Sequence, residues 1–90
     1  MKKVLYPGSF DPVTYGHMNV VDQALSIYDK VVIAIMVNSK KNNGLFSLEE
    51  RKNLIKEIYK NNPNVEVIAI SGKIAAVDVA IENGCNTMVR

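Results

Sequence analysis

Residues that build disulfides and zinc sites are scarce in this sequence of 90 residues, which has one cysteine, Cys85, and one histidine, His17. A single cysteine excludes an intrachain disulfide, and one cysteine with one histidine cannot close a zinc site. We therefore expect no metal held by side chains, and we expect Cys85 to pack in the core.

Long apolar runs are absent as well. No stretch approaches the roughly 20 apolar residues that cross a bilayer, and the first residues lack the apolar core of a signal peptide. We therefore expect a cytoplasmic protein that does not bind a membrane. The net charge is only +2, and a nucleic-acid-binding face is usually strongly basic. We expect no nucleic-acid partner.

What remains is an ordinary globular composition, with 48% hydrophobic and 22% charged residues. The length suits one domain, so residues 1–90 are expected to form a single one. Four short segments of apolar and β-branched character predict strands at residues 4–6, 31–37, 65–70 and 86–89. The continuous run at 31–37 is typical of a strand buried on both faces.

Helical spacing of apolar residues lies between these strands. The three apolar stripes are Met18, Val21, Leu25 and Tyr28; Leu54, Ile55 and Ile58, which are predicted to face inward; and Ile74, Val77, Ala80 and Ile81. Thr14 is predicted to cap the first helix, and Ser47 with Glu50 forms a capping box for the second. Gly84 stands where a glycine ends the third helix.

The element order is therefore β-α-β-α-β-α-β, which predicts a Rossmann-like, doubly wound α/β fold. Parallel strands with right-handed crossovers are expected in the order 3-2-1-4, with ligands bound at the carboxyl ends of the strands. The chain ends on its fourth strand, and no helix follows to cover that strand. We therefore expect a truncated domain, the N-terminal part of a larger one, with exposed apolar surface; a dedicated short protein is the alternative.

The segments that follow the strands have the chemistry of a phosphate site. Residues 8–12, 38–43 and 71–73, together with Arg90, supply glycine, hydroxyl groups and cations. His17 is predicted in the first turn of the first helix, where the helix dipole favours an anion. A lone histidine is more often structural, but its place beside Gly16 and the expected ligand edge favours a phosphate contact. Neither a dinucleotide fingerprint nor a P-loop motif is present.

Residues 6–12 with Thr14-x-Gly16-His17 resemble the signature of the nucleotidyltransferase superfamily, whose hallmark is [HT]-x-G-H. Threonine at the first hallmark position is typical of the phosphopantetheine adenylyltransferases. Many other members, including the nicotinate mononucleotide adenylyltransferases, have histidine there. Residues 46–51 and the final Val89-Arg90 also resemble the phosphopantetheine group.

The resemblance implies a role for several residues. Ser9 would contact both ATP and the acceptor phosphate, with the Phe10 backbone beside it, and His17 would bind ATP and stabilise the transition state. Lys41 would be catalytic as well, contacting phosphate and stabilising the charge that builds on the phosphoryl oxygens; Lys40 is the alternative because the loop looks longer than in the family. The acceptor contacts would be Val77, in another stretch that looks longer, and Arg90.

The implied reaction transfers AMP from ATP to 4′-phosphopantetheine, with Mg²⁺ bridging ATP oxygens and a homohexamer as the assembly. The family's later serine-rich ATP-binding segment has no counterpart in these 90 residues. Two alternatives stay open: a related nicotinate mononucleotide adenylyltransferase, and a fragment that binds phosphate ligands without turnover. Outside the site, Asp11 is expected to fix its loop by hydrogen bonds, and Arg51 to be a solvated or capping cation.

Overall fold

Seven elements follow one another in the order predicted from the sequence. The computed structural model describes residues 2–37, 46–72 and 74–89. The strands are β1 (Lys3–Gly8), β2 (Lys30–Val37), β3 (Val65–Ser71) and β4 (Thr87–Met88), and the helices are α1 (Tyr15–Leu25), α2 (Leu48–Ile58) and α3 (Ala76–Glu82). No described helix combines the length and the apolar character needed to cross a bilayer.

The four strands form one parallel sheet in the order β3-β2-β1-β4, as predicted. In the register, Tyr6 lies opposite Ile33, and Ala34 lies opposite Ile68. β4 (Thr87–Met88) is shorter than the predicted segment 86–89, but the N–H groups of Asn86 and Val89 at its two ends also donate to β1, to the Lys3 and Leu5 carbonyls. The α/β fold class and the strand order are both confirmed.

The two central strands separate two apolar layers. On one face, Val4, Tyr6, Val31, Ile33 and Ile35 pack with buried residues of α1 and α2. The opposite face is formed by the alternate residues of the same strands, which pack beneath α3, and its buried members are Leu5, Val32, Ala34, Val79, Ala80 and Cys85. Each fully buried aliphatic side chain contributes about 1.5–3 kcal/mol relative to exposure.

The predicted inward stripe of α2 is only partly correct. Ile55 is fully buried, whereas Leu54 is 41% exposed and Ile58 is 43% exposed. The buried residues of the helix are Arg51 and Ile55, which lie one turn apart. That line of residues packs on the sheet, so Leu54 and Ile58 turn aside toward a groove between α1 and α2.

The apolar stripe predicted for the third helix does not coincide with the buried face of α3. Ala80 is buried, but Ile74, Val77 and Ile81 are 46%, 52% and 70% exposed. The helix instead packs through Val79 and Ala80, whose side chains reach Leu5 and Val32 of the sheet. A short helix of small and branched residues has apolar groups on more than one side, so helical spacing does not identify the face that packs on the sheet.

The predicted helix ends are confirmed. The Thr14 hydroxyl accepts a hydrogen bond from the His17 N–H, and the Ser47 hydroxyl accepts one from the Glu50 N–H. The Glu50 carboxylate accepts in return from the Ser47 N–H, and the two Ser47 bonds lower the pKa of Glu50. Gly84 follows α3 at a φ of 72°, a conformation that suits glycine.

Cys85 provides a test of this packing. It is buried among α3 and the sheet, as predicted, and burial raises the pKa of its thiol. The thiolate is the reactive form, so native Cys85 should react with a thiol reagent at pH 8 much more slowly than the urea-unfolded chain. Both rates are measured from the absorbance of the reaction product as it forms over time. Equal rates would show that the layer beneath α3 opens freely.

Candidate functional site

Three of the predicted site residues come together at the carboxyl end of β1. Ser9 is exposed and directly follows the strand, Phe10 is buried behind it, and His17 lies in the first turn of α1. The ring centroids of Phe10 and His17 are 4.8 Å apart. The loop after β1 therefore brings a hydroxyl, a backbone turn and an imidazole to one place at the expected ligand edge.

Of the other predicted contacts, Val77 alone lies within the described residues. Lys40, Lys41 and Arg90 lie outside the described residues. Val77 stands in the first turn of α3, on the opposite face of the sheet from α1, and borders a shallow cavity of about 180 Å³ with Ala80, Ile81 and Met88. Its role as an acceptor contact stays a prediction.

Phe10 holds the loop in an unusual conformation. Its φ is 48°, in the left-handed region that non-glycine residues rarely adopt, and the residue is only 2% exposed. Its ring meets Tyr6 edge-on at 5.2 Å and leans against His17. A side chain at position 8 would begin 3.0 Å from the Phe10 ring, so Gly8 is needed for this ring position.

His17 is held through one of its two ring nitrogens. The Thr14 N–H donates to Nδ1 at 2.9 Å, and the Thr14 hydroxyl lies 3.1 Å from the same atom. A backbone N–H always donates, so Nδ1 must accept, and the neutral ring carries its proton on Nε2. The Nε2–H points away from Thr14 and is a hydrogen-bond donor for a ligand.

The neighbourhood of His17 is otherwise apolar or open. Tyr6 lies 6.2 Å from the imidazole between ring centroids. Burial raises the pKa of the Tyr6 phenol, so Tyr6 stays neutral and serves as packing. Gly16 is exposed, and among described atoms a side chain there would approach only the Thr14 hydroxyl, at 3.5 Å. The approach of a ligand to the Gly16 backbone stays a prediction.

Arg51 corrects the prediction of a solvated or capping cation. It is only 4% exposed, and it is the one buried charged residue in the described part of the chain. Its Nε donates to the Phe46 carbonyl at 2.9 Å, and its Nη1 donates to the Ser9 carbonyl at 3.2 Å. The Asp11 carboxylate lies 3.7 Å from Nε. Arg51 therefore joins the start of α2 to the loop after β1.

Asp11 completes this connection, and its predicted structural role is confirmed. Its carboxylate accepts a hydrogen bond from the Phe46 N–H at 2.9 Å, in addition to the ion pair with Arg51. Both side chains are largely buried, so each charge depends on the other. The sequence holds one weak signal for the burial of Arg51, which lies one turn before Ile55, in line with the buried face of α2.

Comparison with protein families gives a match over nearly the whole chain. The model of the cytidylyltransferase-like family matches residues 5–89. The phosphopantetheine adenylyltransferase of Clostridium tetani (strain Massachusetts / E88) is 44% identical over all 90 residues, which cover 54% of that protein. That of Francisella philomiragia is 42% identical over 89 residues, covering 99% of this chain and 53% of that protein.

A third relative aligns over fewer residues but at higher sequence identity. The phosphopantetheine adenylyltransferase of Clostridium botulinum (strain 657 / Type Ba4) is 50% identical over 72 residues, which cover 80% of this chain and 43% of that protein. The chain thus spans about half the length of the curated relatives that it matches.

Two solved structures share the fold. A crystal structure of NadR protein in complex with NAD and AMP-PNP has a TM-score of 0.73 at 16% identity, over 96% of this chain and 28% of that one. A structure of NadR protein in complex with NR has a TM-score of 0.72 at 21% identity, over 92% of this chain and 24% of that one.

Proposed function

Because this chain belongs to the cytidylyltransferase-like family, we propose that it carries the phosphate-reactive part of an adenylyltransferase. The enzyme transfers AMP from ATP to 4′-phosphopantetheine and releases dephospho-coenzyme A and pyrophosphate. Support for this choice of acceptor comes from relatives over 40% identical that are named phosphopantetheine adenylyltransferases.

One observation carries the chemistry: Nδ1 of His17 is fixed by Thr14, which leaves the Nε2–H as a donor beside the loop after β1. Within residues 2–37, 46–72 and 74–89, the Phe10 N–H donates no hydrogen bond. Two donors near one helix N-terminus suit a phosphoryl group, because they stabilise its oxygens without moving.

The proposed reaction needs no general base. The acceptor phosphate is already an anion near pH 7, and one of its oxygens attacks the α-phosphorus of ATP in line. The new bond joins that oxygen to phosphorus as the bond to the pyrophosphate oxygen breaks, and both electrons leave with pyrophosphate. Positioning and charge stabilisation then account for the catalysis. The His17 Nε2–H and the Phe10 N–H would stabilise charge on the transferring group.

The remaining contacts are assigned by resemblance. Ser9, which is exposed at the end of β1, would bind both substrates through its hydroxyl. Lys41, or Lys40 in its place, would contact phosphate, and Val77 and Arg90 would bind the acceptor. We also propose a cytoplasmic homohexamer as the working form, which sedimentation of the full-length enzyme would test.

Magnesium is part of this proposal as a companion of ATP. Among the described residues, no three His, Cys, Asp or Glu side chains lie close enough together to hold a metal ion. We propose that substrate phosphates supply most of the oxygen ligands of the ion, which is a common arrangement for Mg²⁺. Bound there, Mg²⁺ would balance negative charge on the phosphates of ATP.

Pyrophosphate release tests the reaction. The assay uses this chain and, in parallel, a full-length chimera that continues it with the part of the Clostridium tetani relative beyond the aligned residues. With ATP and Mg²⁺, we expect turnover with 4′-phosphopantetheine and none above background with nicotinate mononucleotide. Turnover with nicotinate mononucleotide alone would replace the proposed acceptor. Binding of ATP without turnover in the chimera would make this a phosphate-binding domain.

A further inference from the structure

We propose that Arg51 is a positioning residue, which acts through the Ser9–Phe10 peptide to aim the Phe10 N–H at the transferring phosphoryl group. The inference rests on the proposed function, because it concerns how one of that site's donors is held. Arg51 itself is only 4% exposed and donates to the Phe46 and Ser9 carbonyls, so the proposal gives it no contact with the substrate.

The geometry of one peptide bond connects Arg51 with that donor. Arg51 Nη1 donates to the Ser9 carbonyl at 3.2 Å. A trans peptide is planar, with its C=O and the following N–H on opposite sides. Fixing the Ser9 oxygen toward Arg51 therefore turns the Phe10 N–H the opposite way, toward the side that Arg51 does not occupy.

The Phe10 N–H needs such a restraint. The φ of Phe10 is 48°, which is unfavourable for a phenylalanine, and such conformations persist only when the surrounding structure enforces them. The side chain supplies one restraint through its contacts with Tyr6 and His17. On the backbone, Arg51 supplies a second, because rotation of the peptide would break the bond to the Ser9 carbonyl.

Arg51 is itself held at several points. Its Nε donates to the Phe46 carbonyl at 2.9 Å and lies 3.7 Å from the Asp11 carboxylate. The guanidinium is a rigid fork that can donate in two directions at once. A lysine keeps the charge but has a single flexible ammonium, so it cannot hold Phe46 and Ser9 in the same arrangement.

The first test measures the peptide itself in the 90-residue chain. In NMR spectra, Arg51→Lys should shift the Ser9 carbonyl carbon and the Phe10 amide, while Lys52→Met, the neighbouring cation on α2, should leave both in place. On titration with inorganic pyrophosphate, the Phe10 amide should respond in the wild type and respond much less in Arg51→Lys. An Arg51→Lys chain whose Phe10 amide responds as in the wild type would overturn the proposal.

The second test measures kinetics in the full-length chimera. Misplacing a reacting contact by about 1 Å can reduce rates about 10²-fold, so Arg51→Lys should lower kcat by about that factor with little change in the KM for 4′-phosphopantetheine. A folded Arg51→Lys enzyme with normal kcat would contradict the inference. If that variant does not fold, the wild-type titration decides, because a Phe10 amide that ignores saturating pyrophosphate would contradict it equally.

The two proposals fail in different ways. An enzyme that turns over a different acceptor, with the Phe10 amide still dependent on Arg51, would overturn the proposed acceptor and support the positioning role. If the Arg51→Lys enzyme turned over 4′-phosphopantetheine at the wild-type rate, the proposed acceptor would be supported and the positioning role of Arg51 would be overturned.

Discussion

Replacing His17 by alanine should lower kcat about 10²–10³-fold, which is typical of removing one preorganised donor from a developing anion. The KM for 4′-phosphopantetheine should change little, because an interaction gained in the transition state affects kcat rather than ground-state binding. Steady-state pyrophosphate release by the full-length chimera measures both. The structural reason is the Nε2–H, which is left as a donor because Thr14 occupies Nδ1 at 2.9 Å.

Two further variants make this result specific. Asn19→Ala changes an exposed residue on the same helix and should leave kcat unchanged. His17→Gln can extend an amide N–H toward the position of Nε2, so it should recover part of the activity that alanine loses. Near-normal kcat in His17→Ala would show that the histidine is a structural cap for α1, and the proposed mechanism would then fail even with the family assignment intact.

Those parts of the fold that are set by interactions between residues close together in the sequence could be predicted. The β-branched run of β2 and the caps at Thr14 and Ser47 are local features, because the groups that interact lie within four residues of each other. The strand order followed from the alternation of strands and helices, since right-handed crossovers leave few topologies. The ends of β1 and β4 differed from the predicted ones, and α2 buries only Ile55 of its three predicted inward residues.

Arg51 could not be predicted in the same way. Its burial depends on the Ser9 carbonyl, 42 positions away in the sequence, and on Asp11, which the fold brings against the start of α2. Helical spacing does place Arg51 in line with Ile55, but a charged residue on a buried line is usually excluded by the cost of desolvation. Only the three-dimensional arrangement shows the carbonyl and carboxylate groups that compensate for it.

The site was predicted from a motif, and the structure shows where its local residues lie. The motif puts Ser9, Phe10 and His17 on one loop and one helix turn, and those three residues do lie together. Roles that depend on separate loops stay predictions, since Lys41 and Arg90 lie outside the described residues. The left-handed backbone of Phe10 had no signal in the sequence, because phenylalanine does not favour it.

Replacing Phe10 by alanine should lower the free energy of unfolding by about 3–5 kcal/mol, the usual cost of removing a buried aromatic ring. The ring is 2% exposed and meets Tyr6 edge-on, which adds about 0.5–1.5 kcal/mol beyond the buried area. Alanine keeps the unfavourable positive φ, so the backbone gains nothing in return. Urea unfolding of the 90-residue chain, followed by circular dichroism at matched protein concentration, measures the change.

Tyr15→Ala is the matched control, because Tyr15 is an aromatic residue five positions away and is 87% exposed. That substitution should change the free energy of unfolding by no more than about 0.5 kcal/mol. Phe10→Gly removes the same ring but tolerates the positive φ, so it should cost less than alanine if the backbone conformation persists. If Phe10→Ala lowered the free energy of unfolding no more than Tyr15→Ala, the Phe10 ring would not be packed between Tyr6 and His17. The ring could then not support the His17 imidazole.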